Sequence, residues 1–136
     1  MSLNKINFVE FWEPKKATRS GSKSDYELSA LIGLPGKTRK QSNYTLAIER
    51  FLKKNNINWS YLRIGQIGKK LVISEGDESN GYKIHDNLRI SNKDLLNNIF
   101  LFHDEKVPFR EDEKKLIHFS ATFNDDLQLF ILNRVQ

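Results

Sequence analysis

At 136 residues, with 38% hydrophobic and 11% aromatic side chains, the chain has the size and apolar content of one folded domain, which excludes wholesale disorder. It contains no cysteine, and this excludes disulfides, thiolate metal sites and cysteine nucleophiles. No apolar stretch of the sequence is long enough to cross a bilayer, so we expect a soluble, cytoplasmic protein with no membrane partner.

The net charge of +5 is concentrated in residues 14–43, which carry a surplus of five positive charges while the rest of the chain sums to zero. The basic residues of this segment are Lys15, Lys16, Arg19, Lys23, Lys37, Arg39 and Lys40. Such a cluster, interspersed with hydroxyl and amide side chains, is typical of nonspecific contact with phosphates. We therefore expect these residues to bind DNA or RNA, although a loop that only solubilises the chain explains the same pattern at least as well.

The first 42 residues divide into an N-terminal strand (1–14) and a basic arm (15–42). Ile6–Trp12 is rich in aromatic and β-branched residues and is followed by Pro14, a pattern that predicts a strand. Within the arm, Lys15–Lys23 lacks large apolar side chains and is expected to be a loop. Asp25–Leu34 has mixed apolar spacing that predicts one or two helical turns before a Pro-Gly break.

Residues 43–86 and 87–136 look like one unit written twice. An offset of 44 places Tyr44 on Leu88 and Leu46 on Ile90. Each unit is predicted to contain a strand, a short helix and then further strands. The predicted fold class is therefore α+β: a single domain with a small, mostly antiparallel sheet, short helices and an internal duplication.

The predicted strands of the repeat cover 44–47, 61–64, 70–74 and 82–84 in the first unit and 88–91, 100–103, 115–122 and 127–132 in the second. A competing interpretation makes Ser42–Asn55 a single helix, because Tyr44, Ile48 and Phe51 also follow helical spacing. That alternative weakens the repeat without removing it.

The layout resembles that of proteins that carry two tandem copies of a swapped-hairpin transcription-factor module. The segments with this likeness are Arg63–Ile73 and Arg89–Leu96, which are similar to the strand and short-helix phrases of that module. The paired Asp and Arg signature of the two-copy proteins is absent. The likeness therefore concerns the fold alone, and no functional residue is transferred from it.

Two short patterns invite a catalytic interpretation. Gly33–Thr38 approaches a phosphate-binding loop, but Leu31 stands where the first glycine belongs, so a Pro-Gly turn is the better prediction. Asp104, Glu113 and Lys115 have the residue types of a metal-dependent nuclease in a loose arrangement. A charged hairpin tip explains these three residues more simply.

The histidines His85, His103 and His118 are scattered without ligand spacing, so we expect no metal site and no cofactor. His118 alternates out of phase with Ile117 and Phe119, which places it on the wetter face of a strand.

The leading hypothesis is a noncatalytic nucleic-acid-binding or regulatory protein that uses the basic arm for phosphate contacts. Trp12 and Tyr26, which flank the arm, are candidates for stacking on unpaired bases, although core packing is the better prediction for Trp12. The alternative is a protein-interaction or assembly module that acts through strand pairing or self-association. A metal-dependent nuclease comes third.

Overall fold

The computed structural model describes residues 9–12 and 26–135. The strands are β1 (Val9–Phe11), β2 (Leu28–Gly33), β3 (Asn43–Ala47), β4 (Tyr61–Ile67), β5 (Lys70–Glu75), β6 (Tyr82–Lys83), β7 (Arg89–Ser91), β8 (Lys114–Asn124) and β9 (Leu129–Val135). The helices are α1 (Glu49–Lys54) and α2 (Lys93–Phe102).

All nine strands belong to one antiparallel sheet that curls into a half-barrel. The strand order is β1-β4-β5-β9-β8-β2-β3-β7, and β6 also pairs with β4. Strands account for 44% of the described residues and helices for 14%. The structure is therefore dominated by a single sheet, to which the two short helices are additions.

The predicted α+β class with a duplicated strand-helix-strand-strand unit is wrong. The two segments do not form two units, because β5 of the first pairs with β9 of the second and β3 pairs with β7. The matching residues belong instead to neighbouring strands of one sheet, as with Leu46 and Ile90, which are cross-strand partners. Similar alternation is expected of neighbouring strands that share one buried face, and this produced the apparent repeat.

Strand β8 joins two groups of strands. Lys114–Phe119 pair with β2, whereas His118–Asn124 pair with β9. Within β8, only His118 and Phe119 therefore have strand partners on both sides. One group contains β2, β3 and β7, and the other contains β9, β5, β4, β1 and β6.

The hydrophobic core lies on one face of the sheet, which we call the inner face. Helix α2 covers β2 and β3 there. Its polar start is capped by the Asn92 side chain, which accepts a hydrogen bond from Leu95 N–H at 2.9 Å. Its buried side chains are Leu95, Leu96, Ile99 and Phe100. They meet alternate strand residues such as Leu28, Ala30 and Ile32 of β2.

Two predicted elements differ from the structure. The helical turns predicted for Asp25–Leu34 are replaced by β2, whose six residues are all buried. A strand buried on both faces loses the polar alternation that identifies strands in sequence. The strand predicted at 100–103 is the last turn of α2 and its cap, because the apolar run there continues a helical stripe.

The single helix weighed for Ser42–Asn55 is also wrong, since β3 occupies 43–47 and α1 only 49–54. Strand β1 lies within the predicted strand Ile6–Trp12, whose first three residues fall outside the described part of the chain. Gly65 allows β1 to approach β4, because a Cβ on this residue would lie 2.1 Å from the carbonyl oxygen of Glu10.

Phe100→Ala tests the packing of α2 against the sheet. Phe100 is fully buried, so we expect the free energy of unfolding to fall by about 3–5 kcal/mol. The neighbouring Leu101 is 63% exposed, and Leu101→Ala should change it by less than about 0.5 kcal/mol. Urea unfolding followed by circular dichroism measures both. Equal losses in the two variants would contradict the observed helix orientation.

Candidate functional site

An open cleft lies beside His118 and Phe119, the residues of β8 at which the pairing partner changes from β2 to β9. We call this position the joint in β8. The volume of the cleft is about 450 Å³, within the range of small-molecule sites, about 300–1,000 Å³. We call it the junction cleft. Its lining residues are Tyr26, Glu27, Arg50, Lys54, Phe119, Ser120 and Val135. Since β2 begins opposite Phe119 and β9 ends opposite His118, both groups of strands contribute to its walls.

Glu27, which immediately precedes β2, is hydrogen-bonded to both β8 and α1. Its carboxylate accepts a hydrogen bond from Ala121 N–H at 2.5 Å, beyond the point where β2 stops pairing with β8. Its main-chain oxygen accepts from Phe51 N–H in the first turn of α1 at 3.2 Å. The carboxylate also forms an ion pair with Lys54. Glu27 thus satisfies a strand amide and a helix amide that would otherwise lack partners.

The charge state of Glu27 follows from these contacts. Burial alone raises the pKa of the carboxyl, because desolvation disfavours the ionised form. Hydrogen bonds from Lys54 and Ala121 N–H, together with the charge of Lys54, outweigh burial and hold the pKa below its ordinary value. The cleft therefore contains a carboxylate at neutral pH.

Tyr26 forms an aromatic wall of the cleft. Its ring stacks on His118 with centroids 3.9 Å apart and an interplanar angle of 24°, and the residue is still 44% exposed. His118 lies on the outer face, as its alternation predicts, and its Nδ1 is 2.6 Å from the hydroxyl oxygen of Ser29. Burial lowers the pKa of His118, so the imidazole is neutral at pH 7. The stack fixes Tyr26 against an uncharged support.

Helix α1 brings two cations to the rim. Arg50 and Lys54 are one helical turn apart, so they lie on the same side of the helix. Lys54 is paired with Glu27, but Arg50 has no hydrogen-bond or ion-pair partner among the residues the structure describes. The pair of Lys53 and Glu49 is neutral overall. Arg50 therefore contributes the uncompensated positive charge of the cleft.

The seven predicted phosphate-binding residues differ in exposure and in whether the structure describes them. Lys15, Lys16, Arg19 and Lys23 lie outside the described residues. The side chains of Lys37 and Lys40 are exposed. Arg39 is half-buried, and its Nη1 donates to the carbonyl oxygens of Leu34 at 2.8 Å and Asp112 at 3.1 Å. Arg39 consequently has a structural role that sequence reasoning did not identify.

Asp112 holds the Pro-Gly segment from the other side. Its carboxylate accepts hydrogen bonds from Lys37 N–H at 2.7 Å and from Thr38 N–H at 2.9 Å, and the Thr38 hydroxyl donates to it at 2.7 Å. The Thr38 side-chain bond lowers the pKa of Asp112 most, although slight burial opposes it. The segment that resembled a phosphate loop therefore binds a carboxylate of its own chain.

The residues of the nuclease pattern have separate local contacts. Glu113 accepts hydrogen bonds from Phe109 N–H and Arg110 N–H, both at 3.0 Å, and so closes a turn. Lys115 pairs with Glu105 at 2.6 Å, and Asp104 is exposed just beyond α2. Within residues 9–12 and 26–135, no three His, Asp or Glu side chains are grouped as metal ligands.

Trp12, the other stacking candidate, is packed against the core. Its Nε1 donates to the side-chain oxygen of Gln66 at 3.1 Å, and its ring meets the edge of Phe102. Sequence reasoning missed Glu27, Ser29 and Arg50 as site residues. The Arg50–Lys54 spacing of four was the one available signal, and it required a correct prediction of α1.

Comparison with known proteins adds no identification. No family model matches the sequence, and neither a curated protein nor a solved structure is significantly similar to it. No helix in the described part of the chain has the length and apolar character needed to span a bilayer.

Glu27→Gln tests the role of the carboxylate at the joint. Because the folded-state pKa is lowered, the charge stabilises the fold above the unfolded pKa, near 4.5, and this contribution is lost as the pH falls through the folded value. We expect the variant to be less stable than the wild type at pH 7, with the difference narrowing below about pH 4. Urea midpoints across this pH range measure it.

Glu78→Gln is the control, because Glu78 is exposed and has no side-chain hydrogen bond among the described residues. A Glu27→Gln difference that stays constant with pH, or that Glu78→Gln reproduces, would contradict the assigned charge.

Arg39→Ala tests whether this guanidinium holds the Pro-Gly segment in place. Loss of its bonds to Leu34 and Asp112 should free the segment, so the Lys37 and Thr38 amides should exchange hydrogen faster. Lys40→Ala removes the same charge from an exposed position and should leave the exchange unchanged. Hydrogen exchange with mass spectrometry compares the two. Unaltered exchange in Arg39→Ala would contradict the structural role.

Proposed function

We propose that the protein is a noncatalytic nucleic-acid-binding protein and that the junction cleft is the centre of its binding surface. The observation that carries the proposal is the coincidence, at one cleft, of an exposed aromatic ring and an uncompensated cation, Tyr26 and Arg50. Aromatic rings beside positive charge are the common elements of surfaces that bind nucleic acids with little sequence preference.

The charge distribution of the sequence supports the same surface. Tyr26 lies inside the basic segment 14–43, three residues after Lys23. Phosphate contacts from Lys15, Lys16, Arg19 and Lys23 would extend the proposed footprint from Tyr26 along the chain, whereas Lys37 and Lys40 follow the opposite end of β2. Arg39 is left out of this set because its guanidinium is held by main-chain oxygens.

The polar groups nearest the cleft favour binding over catalysis. Ser29 is only 1% exposed, and its hydroxyl is engaged with His118. The Glu27 carboxylate is shared between Lys54 and Ala121 N–H. Burial keeps the Ser29 hydroxyl from reaching a substrate, and the contacts of Glu27 oppose its acceptance of a proton, so neither group suits a nucleophile or a general base.

The alternative function, assembly through strand pairing, has less support. Within residues 9–12 and 26–135, the strands at the ends of the sheet are β7 on one side and β1 and β6 on the other, with three, three and two described residues. Such short strands offer few free main-chain groups to another chain, and on the longer unpaired side of β8, at 120–124, the Ala121 amide is already bound by Glu27.

Titration of a labelled oligonucleotide across a salt series tests the proposal. We expect micromolar affinity at low salt and a negative slope of log affinity against log salt concentration. Arg50→Gln should weaken binding and reduce that slope by about one, because one phosphate contact is lost. Fluorescence anisotropy measures both quantities.

Lys83→Gln serves as the charge-matched control. Lys83 is exposed on β6, at the edge of the sheet remote from β8, so its removal should leave the slope unchanged. Absence of binding at low salt, or equal effects of the two substitutions, would refute the proposed surface.

A further inference from the structure

We propose that the junction cleft receives an unpaired nucleobase stacked on Tyr26, with an attached phosphate on Arg50, so that the protein favours single-stranded over duplex nucleic acid. This inference rests on the proposed nucleic-acid-binding function and specifies which part of the ligand enters the cleft.

The ring of Tyr26 is already held in place by a stacking contact with His118. A tyrosine ring exposed to solvent usually loses side-chain entropy when it binds a ligand. Here the ring of Tyr26 already lies on the imidazole of His118, with 3.9 Å between centroids, while 44% of the residue stays exposed. Pre-ordering of this kind lowers the entropic cost of binding a second flat ring.

The distribution of charge orients the ligand. The Glu27 carboxylate lines the cleft, and its ion pair with Lys54 balances its charge. Arg50 projects from α1 at the same cleft and attracts a phosphate. Val135, which is partly exposed, supplies apolar surface in the cleft. An uncharged, flat base therefore belongs against Tyr26, with its phosphate at Arg50.

A duplex does not meet these requirements. Each base inside a duplex is covered on both faces by its neighbours, so a protein ring can stack only on a base that is unpaired or terminal. Base–aromatic stacking is accordingly a property of proteins that bind single strands. The basic residues alone would bind both forms through their phosphates.

The decisive experiment compares two single strands that differ only in their bases. One probe is a fluorescein-labelled thymidine 12-mer, and the other is an abasic 12-mer with the same phosphates. We expect the wild-type protein to bind the thymidine strand about tenfold more tightly, the order of a single base–aromatic stack. A uridine 12-mer in a parallel titration distinguishes RNA from DNA as the preferred strand.

Variants assign the difference to the cleft. Tyr26→Ala should bind both strands with the wild-type affinity for the abasic strand, whereas Tyr26→Phe should keep the tenfold preference. Arg50→Gln should weaken both strands alike. Phe109→Ala removes a ring that is 73% exposed outside the cleft and should change neither affinity.

The outcomes separate the two proposals. Equal, salt-dependent affinity of the wild type for the two strands overturns base stacking and leaves nucleic-acid binding intact. A tenfold preference that survives Tyr26→Ala also overturns it. No binding to either strand at low salt overturns both. Photocrosslinking of a 5-bromouracil strand to Tyr26, mapped by mass spectrometry, gives an independent test in the unmodified protein, and a crosslink confined to other residues counts against the assignment.

Discussion

The structure depends on one long strand that pairs with different partners along its length. Strand β8 contacts β2 through its first half and β9 through its second, and the two sets of pairs overlap at His118 and Phe119. An antiparallel strand can hold two groups in one sheet only if its main-chain groups are satisfied on both sides. The junction cleft lies where this pairing changes over, so the candidate site follows from the topology.

Glu27 resolves the problem that this arrangement creates. Strand β2 begins at Leu28, which pairs with Phe119 of β8. The next amide on that side of β8, that of Ala121, therefore has no strand partner. The carboxylate of Glu27 accepts a hydrogen bond from this amide, and its ion pair with Lys54 compensates for burying the charge. The same residue also receives a helix amide of α1. Structure and candidate site therefore share one side chain.

Several elements could be predicted from the sequence because their apolar pattern reflects one buried face. The alternation of Ile117 and Phe119 placed His118 correctly, and the hairpin strands near 61–75 were located for the same reason. Strand β2 could not be predicted this way, since burial on both faces erases alternation and leaves Leu, Ala and Ile, which also suit helices. Glu27 and Arg50 were missed because their roles depend on contacts between residues far apart in sequence, such as the 94 positions between Glu27 and Ala121.

The change of pairing partner within β8 also affects how a ligand in the cleft acts on the fold. Within the described sheet, the two groups of strands are joined through β8 alone. Both groups of strands contribute to the walls of the cleft, since Tyr26 and Glu27 precede β2 and Val135 ends β9. A molecule bound in the cleft contacts both groups of strands. A ligand that binds only where both groups of strands are in place would favour the folded chain over the unfolded one, so occupancy of the cleft would raise the stability of the fold.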